Sequence, residues 1–142
     1  MIFTDSQFEA LAYIFEQANG NKKDDYELKV ISESGLSDLK ADQLEQHVVD
    51  GLDKGLYNEI ADRISAYWVL GKRFNRNLIP LFRKWLSNEL EQKNDQAVYQ
   101  LLISLSNLEE PVFNSDRDGG SASWEKELNM RDASNYLKKT SA

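Results

Sequence analysis

Read for the spacing of its apolar residues, the chain falls into a run of amphipathic helices. Phe8, Leu11, Ala12 and Phe15 recur at intervals of three and four, the period that places side chains on one face of a helix. This predicts a helix over 5–18, capped by Asp5 and stopped by Asn19-Gly20. Phe3, Tyr13 and Ile14 widen its apolar surface, so cover on two sides is expected. Leu28 and Ile31 mark a short helix over 26–34 that breaks at Gly35. The alternation in YELKVIS also suits a strand, but no second strand exists to pair its backbone groups, so helix is preferred. A helix from 37 or 38 to 54 follows, with Ala41, Leu44, Val48 and Leu52 inward and Gly55 ending it.

The densest apolar spacing lies between Tyr57 and Leu108. Ile60, Ile64, Tyr67 and Trp68 define one face of a helix over 58–73, with Leu70 beside it, and FNRN breaks it. Leu78, Phe82, Trp85, Leu86 and Leu90 line a helix over 77–92, with Pro80 in its first turn, where a missing N–H costs nothing. Asp95 caps a helix to 108 buried along Val98, Leu101, Leu102, Leu105 and Leu108, and Glu109-Glu110-Pro111 stops it. Residues 115–123, SDRDGGSAS, read as a flexible loop. Trp124, Leu128, Met130, Tyr136 and Leu137 then recur sparsely. Asp132 is expected to cap a short final helix to 139 that straps back on its neighbours, and the last three residues are expected to fray. The fold class predicted is all-α, a single compact helical domain over 1–142. Its parts are an acidic N-terminal portion (1–56), a central core (57–110), and a loop with a closing segment (111–142).

Composition narrows the function classes. The 142 residues are 41% hydrophobic and 29% charged, with no cysteine, which suits a globular protein and rules out disulfides and thiolate metal sites. The N-terminus lacks the basic and apolar regions of a signal peptide, and no apolar run is long enough to span a bilayer. A cytoplasmic location is therefore expected, without membrane contact. The net charge of −7 is uneven: 1–56 hold 5 basic and 12 acidic residues, 57–92 hold 6 and 4, and 93–142 hold 6 and 8. Such a chain repels a phosphate backbone, which argues against nucleic acid, and steers towards a basic partner.

Little in the sequence supports catalysis. His47 is the only histidine and sits among Gln43, Gln46 and Asp50, as a surface histidine does. A serine triad would have to draw on it, and no serine has the surroundings of a nucleophile elbow. The carboxylate pairs Asp24-Asp25, Glu109-Glu110 and Asp116 with Asp118 lie in turns and helix ends, where capping or solvation is their ordinary role. The DRDGG run at 116–120 lacks the later ligands of a calcium loop. No enzyme activity, metal or cofactor is expected. Two candidate binding features remain. Asp38, Asp42 and Glu45 fall at i, i+4 and i+7, extended by Asp50 and Asp53, an acidic face that suits either a basic partner or plain solvation. Trp124 beside its loop suits an interface anchor or a core plug under the closing segment.

Two resemblances bear on the same residues. ISAYWVLGKRFNRNLIPLFRKWLSNELEQKNDQAVYQLLISLSNLEEP resembles a HEAT-type unit: a helix ending in Leu70-Gly71, a short turn, Leu-Ile-Pro-Leu opening a second helix, and Asn94-Asp95 before the next. It implies short stacked helix pairs, with an irregular helical bundle as the alternative. AVYQLLISLSNLEEPVF, a loop and the closing ELNMRDASNYL resemble small bacterial immunity proteins of polymorphic-toxin and contact-dependent growth inhibition systems. That resemblance implies a non-enzymatic protein that binds and neutralises a cognate toxin, such as a nuclease with a basic surface, and it transfers no contact residues. A helical scaffold or adaptor with another protein partner is the alternative, and the oligomeric state is not indicated.

Overall fold

The computed structural model describes residues 1–117 and 121–140. It is all-α: among the described residues there are seven α-helices, one 3-10 turn and no strand. In chain order the helices are α1 (Asp5–Ala18), α2 (Asp25–Glu33), α3 (Ala41–Asp53), α4 (Ile60–Gly71), α5 (Ile79–Glu91), α6 (Asp95–Ser106) and α7 (Lys126–Thr140), with the 3-10 turn at Arg76–Leu78. The chain divides into two compact units, Met1–Arg73 and Phe74–Ala142. The boundary falls at the FNRN break, so α4 and α5, the two helices on which the resemblance to a HEAT-type unit rests, belong to different units.

In the first unit α1 is central, packing against α2, α3 and α4. Its Phe8, Leu11, Ala12 and Phe15 are buried as their spacing predicts, against Leu44, Val48 and Val49 of α3 and Ala66, Tyr67, Val69 and Leu70 of α4. Phe3 completes this core: its ring meets Phe8 edge-on at 6.0 Å, and its N–H donates to the Tyr57 hydroxyl at 3.2 Å. The cap of α1 differs by a residue from that predicted. Thr4, not Asp5, caps α1, in a reciprocal box with Gln7, and Asp24 caps α2 in the same way with Glu27. α3 begins at Ala41, where the Lys40 N–H donates to Gln43 Oε1 at 2.9 Å. It ends as predicted around Gly55, whose φ of 68° lets Leu56 N–H reach Gly51 O and Gly55 N–H reach Leu52 O, the paired bonds of a Schellman closure.

Two hydrophobic assignments in this unit are corrected. Of the stripe Ile60–Ile64–Tyr67–Trp68 on α4, only Tyr67 is buried. Ile60 and Trp68 are exposed at 42% and 38%, and Ala66, Tyr67, Val69, Leu70 and Gly71 go inward. Nearly every position from 64 to 70 is apolar or small, so the periodicity has no sharp phase, and contact with α1 and α3 selects it. Trp68 lies instead beneath the Lys72 ammonium, 5.5 Å from its ring centre. On α2, Leu28 is 44% exposed and no residue is buried, since α1 alone among the helices packs closely on it.

The second unit is a three-helix arrangement in which α5, α6 and α7 all touch. α5 and α6 form a hairpin across Gln92–Asn94, the short connection that antiparallel neighbours need. Their buried lines, Leu78, Phe82, Trp85 and Leu86, then Val98, Leu101, Leu102, Leu105 and Leu108, are those predicted. Leu90 is only half-buried and Glu89 is buried in its place. Asn94, not Asp95, is the cap residue of α6. α7 is a full fifteen-residue helix rather than a short one from Asp132. Asp132 lies inside it with Asn129, Ala133 and Tyr136, all buried. Of the last three residues, predicted to fray, Thr140 instead closes α7, its hydroxyl donating to Tyr136 O at 3.1 Å; residues 141–142, and 118–120 of the flexible loop, lie outside the described residues. No helix among the described residues is long and apolar enough to cross a membrane.

Candidate functional site

The five acids of the predicted N-terminal face do not form one surface. Asp38 lies in the turn before α3, so it cannot continue the helical line of Asp42 and Glu45. Those two come together on one cation. Arg73 Nη2 donates to Asp42 Oδ1 at 2.6 Å, and Arg73 Nε donates to Glu45 Oε1 at 3.0 Å, while the guanidinium rests over the Phe15 ring at 5.3 Å. Arg73, from just past α4, thus relieves the like-charge repulsion that the i, i+3 spacing would cause. Asp50 accepts from Gln46 Nε2 at 2.8 Å, and Asp53 also has a partner. His47 is half-buried on α3. Among the described residues, no group of three or more histidine and carboxylate side chains is placed to hold a metal.

Trp124 is different. Its side chain is 79% exposed, the most exposed large hydrophobic residue among those described, so it is not a core plug. It occupies a turn, Ala122–Glu125, closed by Glu125 N–H donating to Ala122 O at 3.2 Å. The backbone on both sides of it is tethered. The Tyr99 hydroxyl reaches Ser121 O at 3.4 Å and Gln96 Nε2 reaches Ser123 O at 3.4 Å, both from α6. Asn129 Nδ2 donates to Ala122 O at 3.1 Å from α7, whose first hydrogen bond runs from Asn129 N–H to Glu125 O at 3.0 Å.

Beneath this turn lies a clasp centred on Arg117, whose side chain is only 2% exposed. Its Nη1 donates to Asn129 Oδ1 at 2.7 Å and to Asp132 Oδ2 at 3.1 Å, and its Nη2 donates to Glu125 Oε1 at 3.0 Å. The guanidinium stacks over Phe113 at 5.2 Å, while its Nε is left without a partner. Asp132 also accepts from the Asn114 N–H at 3.2 Å and from Arg131. Arg131 in turn grips Asp116 with two bonds of 2.8 Å, which hold the Asp116 carboxyl below its usual range. The described parts of the predicted flexible loop, 115–117 and 121–123, are therefore bound to α6 and α7.

A second cluster secures the chain after α6. Tyr136 Oη donates to Glu110 Oε1 at 2.6 Å, and Arg83 Nη2 donates to the same oxygen at 2.8 Å. Burial, followed by the hydrogen bond to Glu110, pushes the Tyr136 hydroxyl up to about 12. The same Tyr136 bond, with Arg83 behind it, holds Glu110 low. This cluster ties Arg83 of α5 and Tyr136 of α7 to the segment between α6 and α7, a structural role.

The sequence reading named Trp124 but missed the residues that hold it. The signal was there: Asn129, Asp132, Ala133 and Tyr136 fall at i, i+3, i+4 and i+7, a helix face on which two positions are polar. Buried polar groups require partners, and Arg117 in the preceding loop is one. Beside Trp124 lies a shallow open cleft of about 430 Å³ lined by Trp124, Glu125, Lys126, Glu127 and Leu128. It offers an aromatic face, a leucine, two carboxylates and a lysine, and nothing arranged as a nucleophile with a base. Compared with known proteins, the chain matches no family model, no curated sequence and no solved structure.

Proposed function

We propose that this chain is a non-enzymatic protein-binding module whose partner docks over Trp124. The observation that carries the reading is the combination of 79% exposure with a backbone tethered on both sides. Covering such a side chain contributes about 2–3 kcal/mol, and tryptophan is among the commonest interface anchors. The tethers mean that little ordering remains to be done on association, so most of that gain reaches the complex. The resemblance to immunity proteins supplies the class of partner, a toxin domain, and the net charge of −7 favours one with a basic surface.

The test is co-expression with the protein encoded beside its gene. The expected result is protected growth and a co-purifying complex, with Trp124→Ala weakening the complex at least about tenfold and shifting the stability of the free chain by no more than about 0.5 kcal/mol. Neither protection nor a complex means the immunity reading is wrong. A complex indifferent to Trp124→Ala removes the anchor.

A further inference from the structure

We propose that the cleft beside Trp124 receives an arginine side chain carried on a basic segment of the partner. This rests on the protein-binding reading above and adds the chemistry the site would recognise. The Trp124 residue is 79% exposed and lines the cleft, and Leu128 supplies an apolar wall. Glu127 makes no bond to any described residue, and Glu125 gives Arg117 only one of its two oxygens. Lys126, the cation on this rim, leans towards Asp95, with its Nζ 4.0 Å from Oδ2. Asp95, Glu125 and Glu127 against Arg117 and Lys126 leave the neighbourhood at −1.

A flat aromatic face next to a carboxylate selects a particular cation. A guanidinium stacks on the indole and, in the same plane, donates to Glu127; an ammonium does one or the other less well. The clasp beneath contributes by position. Arg117 fixes Glu125 and Asn129, and Asn129 fixes Ala122, so Glu125 and the backbone that carries the indole are already placed when the cation arrives. Lys126 sets the limit on affinity, since its exposed ammonium adds a positive charge to the same rim.

The probe is an acetylated, amidated peptide of alternating arginine and glycine, titrated at low salt while the indole N–H resonance of Trp124 is followed by NMR. Peptides of the same length bearing lysine or glutamate serve as comparisons. A saturable shift is expected with arginine, about threefold weaker with lysine and absent with glutamate. Glu127→Gln should weaken arginine binding about threefold or more, and raising the salt should do the same. An unmoved resonance, an equal response to the glutamate peptide, or indifference to Glu127→Gln overturns the proposal. So does sedimentation showing that the indole is covered by a second copy of the chain. If co-expression yields a Trp124-dependent complex but the peptide leaves the resonance still, the protein-binding reading stands and the arginine does not. If the resonance moves as expected but no protein complex forms, the chemistry of the cleft stands and the functional reading does not.

Discussion

At the scale of single residues, Gly51 shows how one missing carbon organises a core. A Cβ built there would lie 2.6 Å from Tyr57 Cε2. Tyr57 cannot swing away cheaply, because it is 3% exposed, holds the Phe3 N–H and packs on the Phe8 ring at 5.7 Å. Two effects oppose each other in Gly51→Ala. Helix propensity favours alanine by up to about 1 kcal/mol, and overpacking costs about 1–3 kcal/mol. The pinned ring makes the second the larger, so Gly51→Ala is expected to destabilise the chain by a net of about 1 kcal/mol, read as a lower urea midpoint. A midpoint at or above that of the parent chain would show that the ring relocates freely. The partner of Gly51 is six residues on and folded back, a relation no periodicity reveals.

At the scale of elements, existence was far more legible than orientation. All seven helices follow from spacing and stop signals, because each has at least a partial apolar stripe and a turn on either side. Trp68 and Leu28 were misplaced for opposite reasons. α4 is apolar nearly all round, so its phase is set by neighbours, whereas α2 has too few neighbours to bury its stripe. Asp132 reads as a cap because an acid in a polar context usually is one, whereas its buried partner Arg117 lies across a loop. The weak attachment of α2 has a measurable consequence. It has no buried residue and is held mainly by polar links, such as the Lys23 ammonium between Glu16 and Glu27 and the Tyr26 hydroxyl on Glu9. Local opening therefore exposes little apolar surface and costs little. Amide hydrogens of α2 should exchange at least about tenfold faster than those of α1; equal protection would mean that the two open together.

At the scale of the whole molecule, the shifted groups fall into two sets that bound the stable pH range. On the acid side Glu16, Glu110 and Asp116 are held low: burial pushes Glu16 up but Lys23 and Lys72 outweigh it, Tyr136 and Arg83 act on Glu110, and Arg131 acts on Asp116. Carboxyls depressed in the folded state contribute stability above their unfolded pKa of about 4, lost as pH falls through the folded values. On the alkaline side the Tyr13 and Tyr136 hydroxyls are raised to about 12, Tyr13 chiefly by its hydrogen bond to Glu9 and Tyr136 chiefly by burial. A group raised on folding contributes fully below its unfolded pKa, about 10 for tyrosine, and that stability is lost as pH rises towards the folded value. Urea midpoints should thus be level between about pH 5 and 9 as far as these groups are concerned, falling below 4 and again above 10. Tyr136→Phe should flatten part of the alkaline fall, and an unchanged slope in that variant would remove Tyr136 from the account.

The contrast between Trp124 and Trp85 has a use of its own. Trp85 is 4% exposed and edge-on to Phe82 at 6.0 Å, while Trp124 stands in water. An indole in water emits at longer wavelength than one in an apolar core and meets dissolved quenchers freely. Once Trp68→Phe removes the other indole that is partly exposed, the red edge of the emission and its iodide-sensitive fraction report on the cleft, while the blue edge reports on the core of the second unit. Anything that covers Trp124 would announce itself as a blue shift and lost quenching, with no label attached.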